Sequence, residues 1–229
     1  MYFGCLNKSD YICNYNKFVY TMIKFHDVKT TDRELVQSYT LCSDRQNCDL
    51  SFANIISWRF LYNTQIAEVD GFLVFRFYIG HHLAYMAPVW KGEWNELMSE
   101  PFAKVVRQMR DDSITLGHPF LMLGVCTNMV EILESIFPDT FYIKPDRDYF
   151  DYIYTREKLA TLAGKKLQSK RNHCNRFRKT YPNYEYRPLT KDMIPECLAV
   201  EANWRTVTKE DNNEEEELSE ELRSMTRVF

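Results

Sequence analysis

Glycine is scarce in this chain, with seven residues in 229. A loop that folds its backbone around a phosphate or cofactor needs several glycines close together, so that class of site is disfavoured. No Cys-x-x-Cys pair is present, and the seven cysteines stand apart at 5, 13, 42, 48, 126, 174 and 197. An odd, scattered set fits neither a disulfide scaffold nor a zinc site, and it points to a reducing, cytoplasmic setting without a bound metal. Cys126, Cys174 and Cys197 sit among apolar residues and read as core. None of the seven has a base at a spacing that would activate a nucleophile. No apolar run reaches the ~18 residues that a membrane span requires. The opening MYFGCLNKSDYICNYNKFVYT is no secretory signal, because Lys8, Asp10 and Lys17 interrupt it. A formal charge of −3 gives no global field for nucleic acid or membrane, so any electrostatic footprint must be local.

What is present is globular material: 45% hydrophobic and 27% charged residues, a balance that argues against disorder. Met22 opens the strand-like MIKFHDV, so residues 1–21 are expected to be a non-native or disordered extension. Ile23, Phe25 and Val28 mark a first strand. Thr31 and Glu34 have capping-box spacing and start a helix to Thr40. SFANIISWRFLY (51–62) has helical periodicity. QIAEV and FLVFRFYI flank Asp70–Gly71, a dipeptide suited to a two-residue hairpin in which both positions take positive φ. Gly80–His81 turns the chain again, predicting three antiparallel strands at about 64–69, 72–79 and 82–88. A helix over 93–111, a buried strand at 119–125 and a helix capped by Thr127 follow, and FYIK and DYFDYIYT read as two closing strands.

This β-α-α-β-β-β-α-β-α-β-β order matches the GNAT acyltransferase fold, an α+β architecture with a mixed, mostly antiparallel sheet. Beyond Thr155 the sequence predicts basic helices, a strand YEYRPL (184–189), a helix capped by Thr190, the acidic run EDNNEEEE (210–217) as a solvated linker, and a last helix from Leu218. The expected organisation is an extension (1–21), a first GNAT-like domain (22–155), a helical basic linker (156–182) and the start of a second GNAT-like unit (183–229), cut short at Phe229.

At DLSFANIISWRFLYNTQ, LAYMAPV, LGVC and above all DYIYTREKLATLAGKKLQSKRNHCNRFRKTYPNYEY, the chain resembles the soluble relatives of the phosphatidylglycerol lysyltransferase C-terminal domain. The resemblance runs over about 22–229, with GKKLQSKRNHCNRF its most specific part. It implies a bacterial, tandem GNAT-like transferase that moves an aminoacyl group from aminoacyl-tRNA to a lipid or another amine or hydroxyl acceptor. The implied location is cytoplasmic, peripheral to the inner membrane face where the acceptor is a lipid. The relatives keep most of their catalytic residues in the second domain, of which only the opening is matched.

Within the basic helix stand Lys165, Lys166, Lys170, Arg171, Arg176, Arg178 and Lys179, with His173 and no acid. On a helical wheel Lys165, Asn172, Arg176 and Lys179 lie together, opposite Leu167, Cys174, Phe177 and Tyr181. Cations without counter-charge repel unless an anion balances them, and a tRNA or lipid-headgroup phosphate would do so. The alternative is a solvated helix neutralised by the acidic tail. Glu201 falls on the apolar face of helix 191–204 with Met193, Ile194, Cys197 and Trp204. It is the candidate catalytic carboxylate, orienting an amine, or else the partner of a linker cation, with Lys170 or Arg171 the expected one. The place where acetyl-CoA enzymes of this fold hold pyrophosphate reads PVWKGEWNE, with Gly92 between bulky tryptophans, so no cofactor is expected and acetyl transfer is the disfavoured reading. The rival to a transferase is a non-catalytic GNAT-like module that binds RNA or an acidic partner. His81–His82 reads as a polar turn.

Overall fold

The computed structural model describes residues 2–6, 22–43, 45–207, 220 and 223–224. They divide into two compact units, Met1–Asp151 with Ser219–Val228, and Tyr152–Leu218.

In the first unit, β1 (Tyr2–Leu6), β2 (His26–Asp27), β3 (Gln65–Val69), β4 (Phe72–Ile79), β5 (His82–Met86), β6 (Leu121–Leu123) and β7 (Phe141–Pro145) form one sheet. Its order among the described residues is β2-β3-β4-β5-β6-β1-β7. Every pairing is antiparallel except β5 with β6. The fold is therefore the expected mixed, mostly antiparallel α+β, GNAT-like one. The hairpin at Asp70–Gly71 has Val69 opposite Phe72, with φ of 48° and 83° at its two central residues. Asparagine, aspartate and glycine tolerate that left-handed region best, which is why the dipeptide marks the turn.

Among the fully described elements, the helices α1 (Arg33–Thr40), α2 (Phe52–Tyr62), α3 (Ser99–Thr115) and α4 (Thr127–Ile136) cover the sheet. Alternation along the strands decides which face each residue joins. Phe72, Val74, Leu83, Tyr85 and Met122 pack with Phe102, Val105 and Met109 of α3 and Met129 and Leu133 of α4. Leu73 and Phe75 turn the other way, onto Val36 and Tyr39 of α1 and Ile55 and Ile56 of α2. Two start signals sit elsewhere than expected. The Lys29 N–H donates to Asp32 Oδ2 at 2.7 Å ahead of α1, and Cys126, not Thr127, is the N-cap of α4.

The chain just beyond β5 carries a bulge. Continuing the register Arg76↔Tyr85 would set Leu73 opposite Pro88, yet Leu73 exchanges both backbone hydrogen bonds with Val89, at 2.8 Å each. One extra residue is accommodated where Pro88 has no N–H to give. Arg45 serves the bulge, donating from Nη1 to the Ala87 carbonyl at 2.7 Å and from Nη2 to that of Pro88.

Three expectations are corrected. Residues 2–6 are not an unpacked extension: β1 lies between β6 and β7, with Gly4 opposite both Met122 and Ile143. Two strand edges offered by β6 and β7 accept it. Residues 7–21, Phe18 and Tyr20 included, lie outside the described residues. DYFDYIYT is not a strand, since Asp146 accepts from the Asp148 N–H at 3.2 Å and folds Arg147–Tyr149 into a 3-10 turn. YEYRPL (184–189) has no ladder partner among the described residues.

In the second unit, α5 (Arg156–Thr161), a 3-10 turn Lys165–Leu167, α6 (Gln168–Thr180), a 3-10 turn Lys191–Met193 and α7 (Ile194–Val207) follow one another. Thr155 caps α5 by accepting from the Lys158 N–H at 3.3 Å. The acidic run 210–217 and the start of the last predicted helix lie outside the described residues. No described helix is long and apolar enough to cross a membrane.

Candidate functional site

The second unit carries the basic surface. Leu162 closes α5 at φ 47°, leaving its carbonyl and that of Gly164 turned toward α6. The Arg171 guanidinium takes both, at 2.8 Å for Gly164. Carbonyls at a helix end need such donors, so Arg171 locks the turn in place. On the next face of the helix, Lys165, Gln168, Ser169, Asn172, His173 and Arg176 line an open groove of about 550 Å³. Their spacing is one helical stripe. Arg176 Nη2 lies 3.3 Å from His173 Nδ1. Of the predicted anion-site residues, the groove brings together Lys165, Asn172 and Arg176. Lys166, Lys170 and Lys179 are exposed outside it, and Arg171 is engaged with backbone. Among the described residues the second unit has one ion pair, Arg187 with Glu185, and none of the groove cations takes part in one. On the far side of α6, Phe177 stacks with Tyr181 and Tyr184 at 5.1 and 5.2 Å and holds the chain that leaves the helix.

Glu201 is buried, at 9% exposure, on the stripe that runs from Met193 and Ile194 through Cys197 and Leu198. The expected bridge to Lys170 or Arg171 is absent. Arg171 has been taken by the Leu162 and Gly164 carbonyls, and Glu201 Oε1 has no hydrogen-bond partner among the described residues. A buried carboxylate oxygen without a partner is destabilising. Glu201→Gln is accordingly expected to raise stability by about 1 kcal/mol in urea denaturation at pH 7; a loss of stability would mean that the charge is compensated after all.

The first unit holds a site that sequence reasoning missed. Between α2 and the sheet lies a cavity of about 400 Å³, floored by Phe75, Phe77, Met86 and Leu123 and walled by Ile55 and Trp58. Its rim is polar. A 3-10 turn Cys48–Leu50, started by the Asp49 N–H donating to Asn47 Oδ1 at 2.8 Å, presents Cys48 and Asp49. The Cys48 N–H donates to Asp151 Oδ2 at 3.0 Å, and Cys48 Sγ is 3.9 Å from Asp49 Oδ1. The thiol is thus flanked by two carboxylates. A hydrogen bond to Asp151, then burial, then the two acidic charges push the Cys48 pKa up to about 12. Burial, then the Asp151 charge, raises Asp49, and burial with nearby Asp49 and Glu220 raises Tyr62. Neither Asp49 nor Asp151 has an ion-pair partner among the described residues.

A thiol so placed is almost wholly protonated at pH 8. Cys48 is therefore expected to react with iodoacetamide more than ~10-fold slower than an unperturbed thiol. Asp151→Asn removes the hydrogen bond and one charge and should speed that reaction severalfold. Time-resolved labelling with peptide mapping checks both rates, and equal rates in the two proteins would rule out control by Asp151.

Between β5 and α3, Trp90 is buried and packs edge-on to Trp94 at 4.9 Å and Phe102 at 6.1 Å, with the Arg45 guanidinium 4.7 Å from its ring centre. Both tryptophans of PVWKGEWNE thus pack on each other and on Phe102 of α3.

A crystal structure of a conserved protein of unknown function from Bacteroides thetaiotaomicron VPI-5482 is similar to this chain, with 49% identity and a TM-score of 0.80. The similarity covers 90% of this chain and 66% of that one, so the chain spans just under two-thirds of that protein's length. No functionally curated protein matches. Residues 42–227, which include the groove, Glu201 and most of the first unit, match the C-terminal domain of phosphatidylglycerol lysyltransferase. The chain belongs to the phosphatidylglycerol lysyltransferase C-terminal family, and with it to the relatives of the aminoacyl transferases.

Proposed function

We propose that the protein takes part in aminoacyl transfer from a charged tRNA to a lipid or other amine or hydroxyl acceptor, with the α6 groove holding phosphate of the RNA or of the lipid headgroup. The observation that carries this reading is the row of Lys165, Asn172 and Arg176 along one groove, with no ion-pair partner for its cations among the described residues. Arginine and lysine there can meet phosphate oxygens by paired and point contacts respectively, while Asn172 adds a neutral donor. In the reaction the acceptor nitrogen or oxygen bonds to the aminoacyl carbonyl carbon, the ester C–O bond breaks, and the tRNA hydroxyl leaves with the acceptor's proton. Positioning and oxyanion stabilisation would supply most of the acceleration. Glu201 is the candidate to orient the amine. A buried carboxylate kept at a cost in stability fits such a role.

The packed Trp90, Trp94 and Phe102 cluster supports a donor other than acetyl-CoA. Filter binding of charged tRNA at increasing salt tests the proposal. Affinity that falls steeply with salt is expected, and binding that is absent or independent of salt would refute it. Binding without transfer would favour the non-catalytic module.

A further inference from the structure

We propose that the cavity of the first unit binds an amphipathic cation, a primary ammonium group on an apolar body, with the ammonium between Asp49 and Asp151 and the body against Trp58, Phe75, Phe77 and Leu123. The volume of about 400 Å³ falls in the range of small-molecule sites, and the apolar floor with few convergent polar groups is their usual composition. The rim decides the sign of the ligand's charge. Two carboxylates lie against Cys48, held there by the Cys48 N–H bond to Asp151 and the Asn47 turn that presents Asp49. Burial first, and then the Asp151 charge, raises the Asp49 pKa, and no described cation pairs with either carboxylate. An ammonium group relieves the repulsion between the two charges, whereas an anion would add to it.

A divalent metal fits less well. Hard cations take six or more oxygen ligands, and no group of three or more metal-binding side chains exists among the described residues. The Cys48 thiol, held protonated by its neighbours, contributes a weak donor and does not attack the ligand, so binding is non-covalent. The ammonium supplies its three donors to the two carboxylates while the apolar body leaves water for the cavity floor.

Three probes that share one apolar body test the proposal by isothermal titration of the full chain: 4-phenylbutylamine, 4-phenylbutanol and 4-phenylbutanoate. The amine is expected to bind at least ~10-fold tighter than the alcohol, and the carboxylate weakest of all. Trp58 lies in the wall, so its fluorescence should change on amine binding, and Trp58→Phe should remove that change. In Asp49→Asn with Asp151→Asn, amine affinity should drop to that of the alcohol. The alcohol's own affinity should stay the same, which also shows that the cavity is intact. An amine that binds no tighter than the alcohol in the unaltered protein overturns the proposal without any variant. So does a carboxylate probe of equal affinity, or an absence of binding by all three. No arm involves tRNA, so failure here leaves the transferase reading standing.

Discussion

Asp112→Ala is expected to lower the stability of the first unit by about 3–5 kcal/mol, the range for stranding one partner of a buried ion pair. Asp112 is on α3, and its side chain is 3% exposed. Arg76 Nη1 reaches both of its oxygens, at 3.0 and 2.8 Å, and the Tyr85 hydroxyl donates to Oδ2 at 2.6 Å. The arginine is held on its other side as well. Its Nε donates to Gln65 Oε1 at 3.1 Å, and Gln65 Nε2 donates to Asp27 Oδ1 at 2.8 Å. Its guanidinium sits 4.2 Å from the ring centre of Phe25. The network therefore ties α3 to β4, β5, β3 and β2.

Truncating Asp112 leaves a guanidinium and a phenol buried without their acceptor, and each carries a desolvation cost. Burial, then Asp112, pushes the Tyr85 phenol well above the usual tyrosine range, so it remains a donor at every working pH. Asp112→Asn keeps the volume and one acceptor and should cost roughly half as much. Arg76→Met combined with Asp112→Leu should recover the part of the loss that comes from the stranded guanidinium, while the Tyr85 hydroxyl still lacks its acceptor. Urea denaturation of Arg76→Met, Asp112→Leu, their combination and the unaltered protein closes a double-mutant cycle. A loss under about 1 kcal/mol for Asp112→Ala would show that water or a shifted side chain replaces the carboxylate.

Much of this fold is written in local pattern. Asp70–Gly71 and Gly80–His81 announce their hairpins because few residues accept the positive φ found at Asp70, Gly71 and Gly80, and the apolar run of FLVFRFYI, broken only by Arg76, fits a strand buried on both faces. Helices α2 and α3 follow from their periodicity, although the start of α3 falls at Ser99, beyond the Trp90–Trp94 cluster. What the pattern could not give depends on partners distant in the chain. The strand YFGCL becomes β1 only because two edges await it, and the aromatic-rich YEYRPL stays out of any sheet for want of one. Arg76 and Asp112 are 36 residues apart, and Cys48 and Asp151 are 103 apart, so no spacing rule could join them. The helical wheel put Lys165, Asn172, Arg176 and Lys179 on one side of the basic helix, and the groove brings the first three together and leaves Lys179 outside it. The wheel could not foresee that an αL turn at Leu162 would take Arg171 away from Glu201.

Lys165→Ala combined with Arg176→Ala is expected to weaken tRNA binding by about 25–60-fold at 0.1 M salt. The magnitude follows from counterion release. Each cation that meets a phosphate adds about 0.7–0.9 to the slope of log K against log salt. Removing two such cations makes that slope shallower by about 1.4–1.8, and 0.1 M lies one decade below the 1 M reference where the contribution vanishes. The charges must be free to act, and the groove meets that condition, since neither cation has an acidic partner among the described residues. Three further substitutions separate charge from structure. Arg187→Ala removes a cation already paired with Glu185 and should leave both affinity and slope nearly unchanged. Arg171→Ala releases the Leu162–Gly164 turn and should lower stability more than it alters the slope. Asn172→Ala deletes a neutral donor from the groove, so it should reduce affinity modestly at every salt concentration while the slope stays where it was. Equal losses from Arg187→Ala and from the groove pair, or an unchanged slope in the pair, would mean that the phosphate lies elsewhere on the molecule.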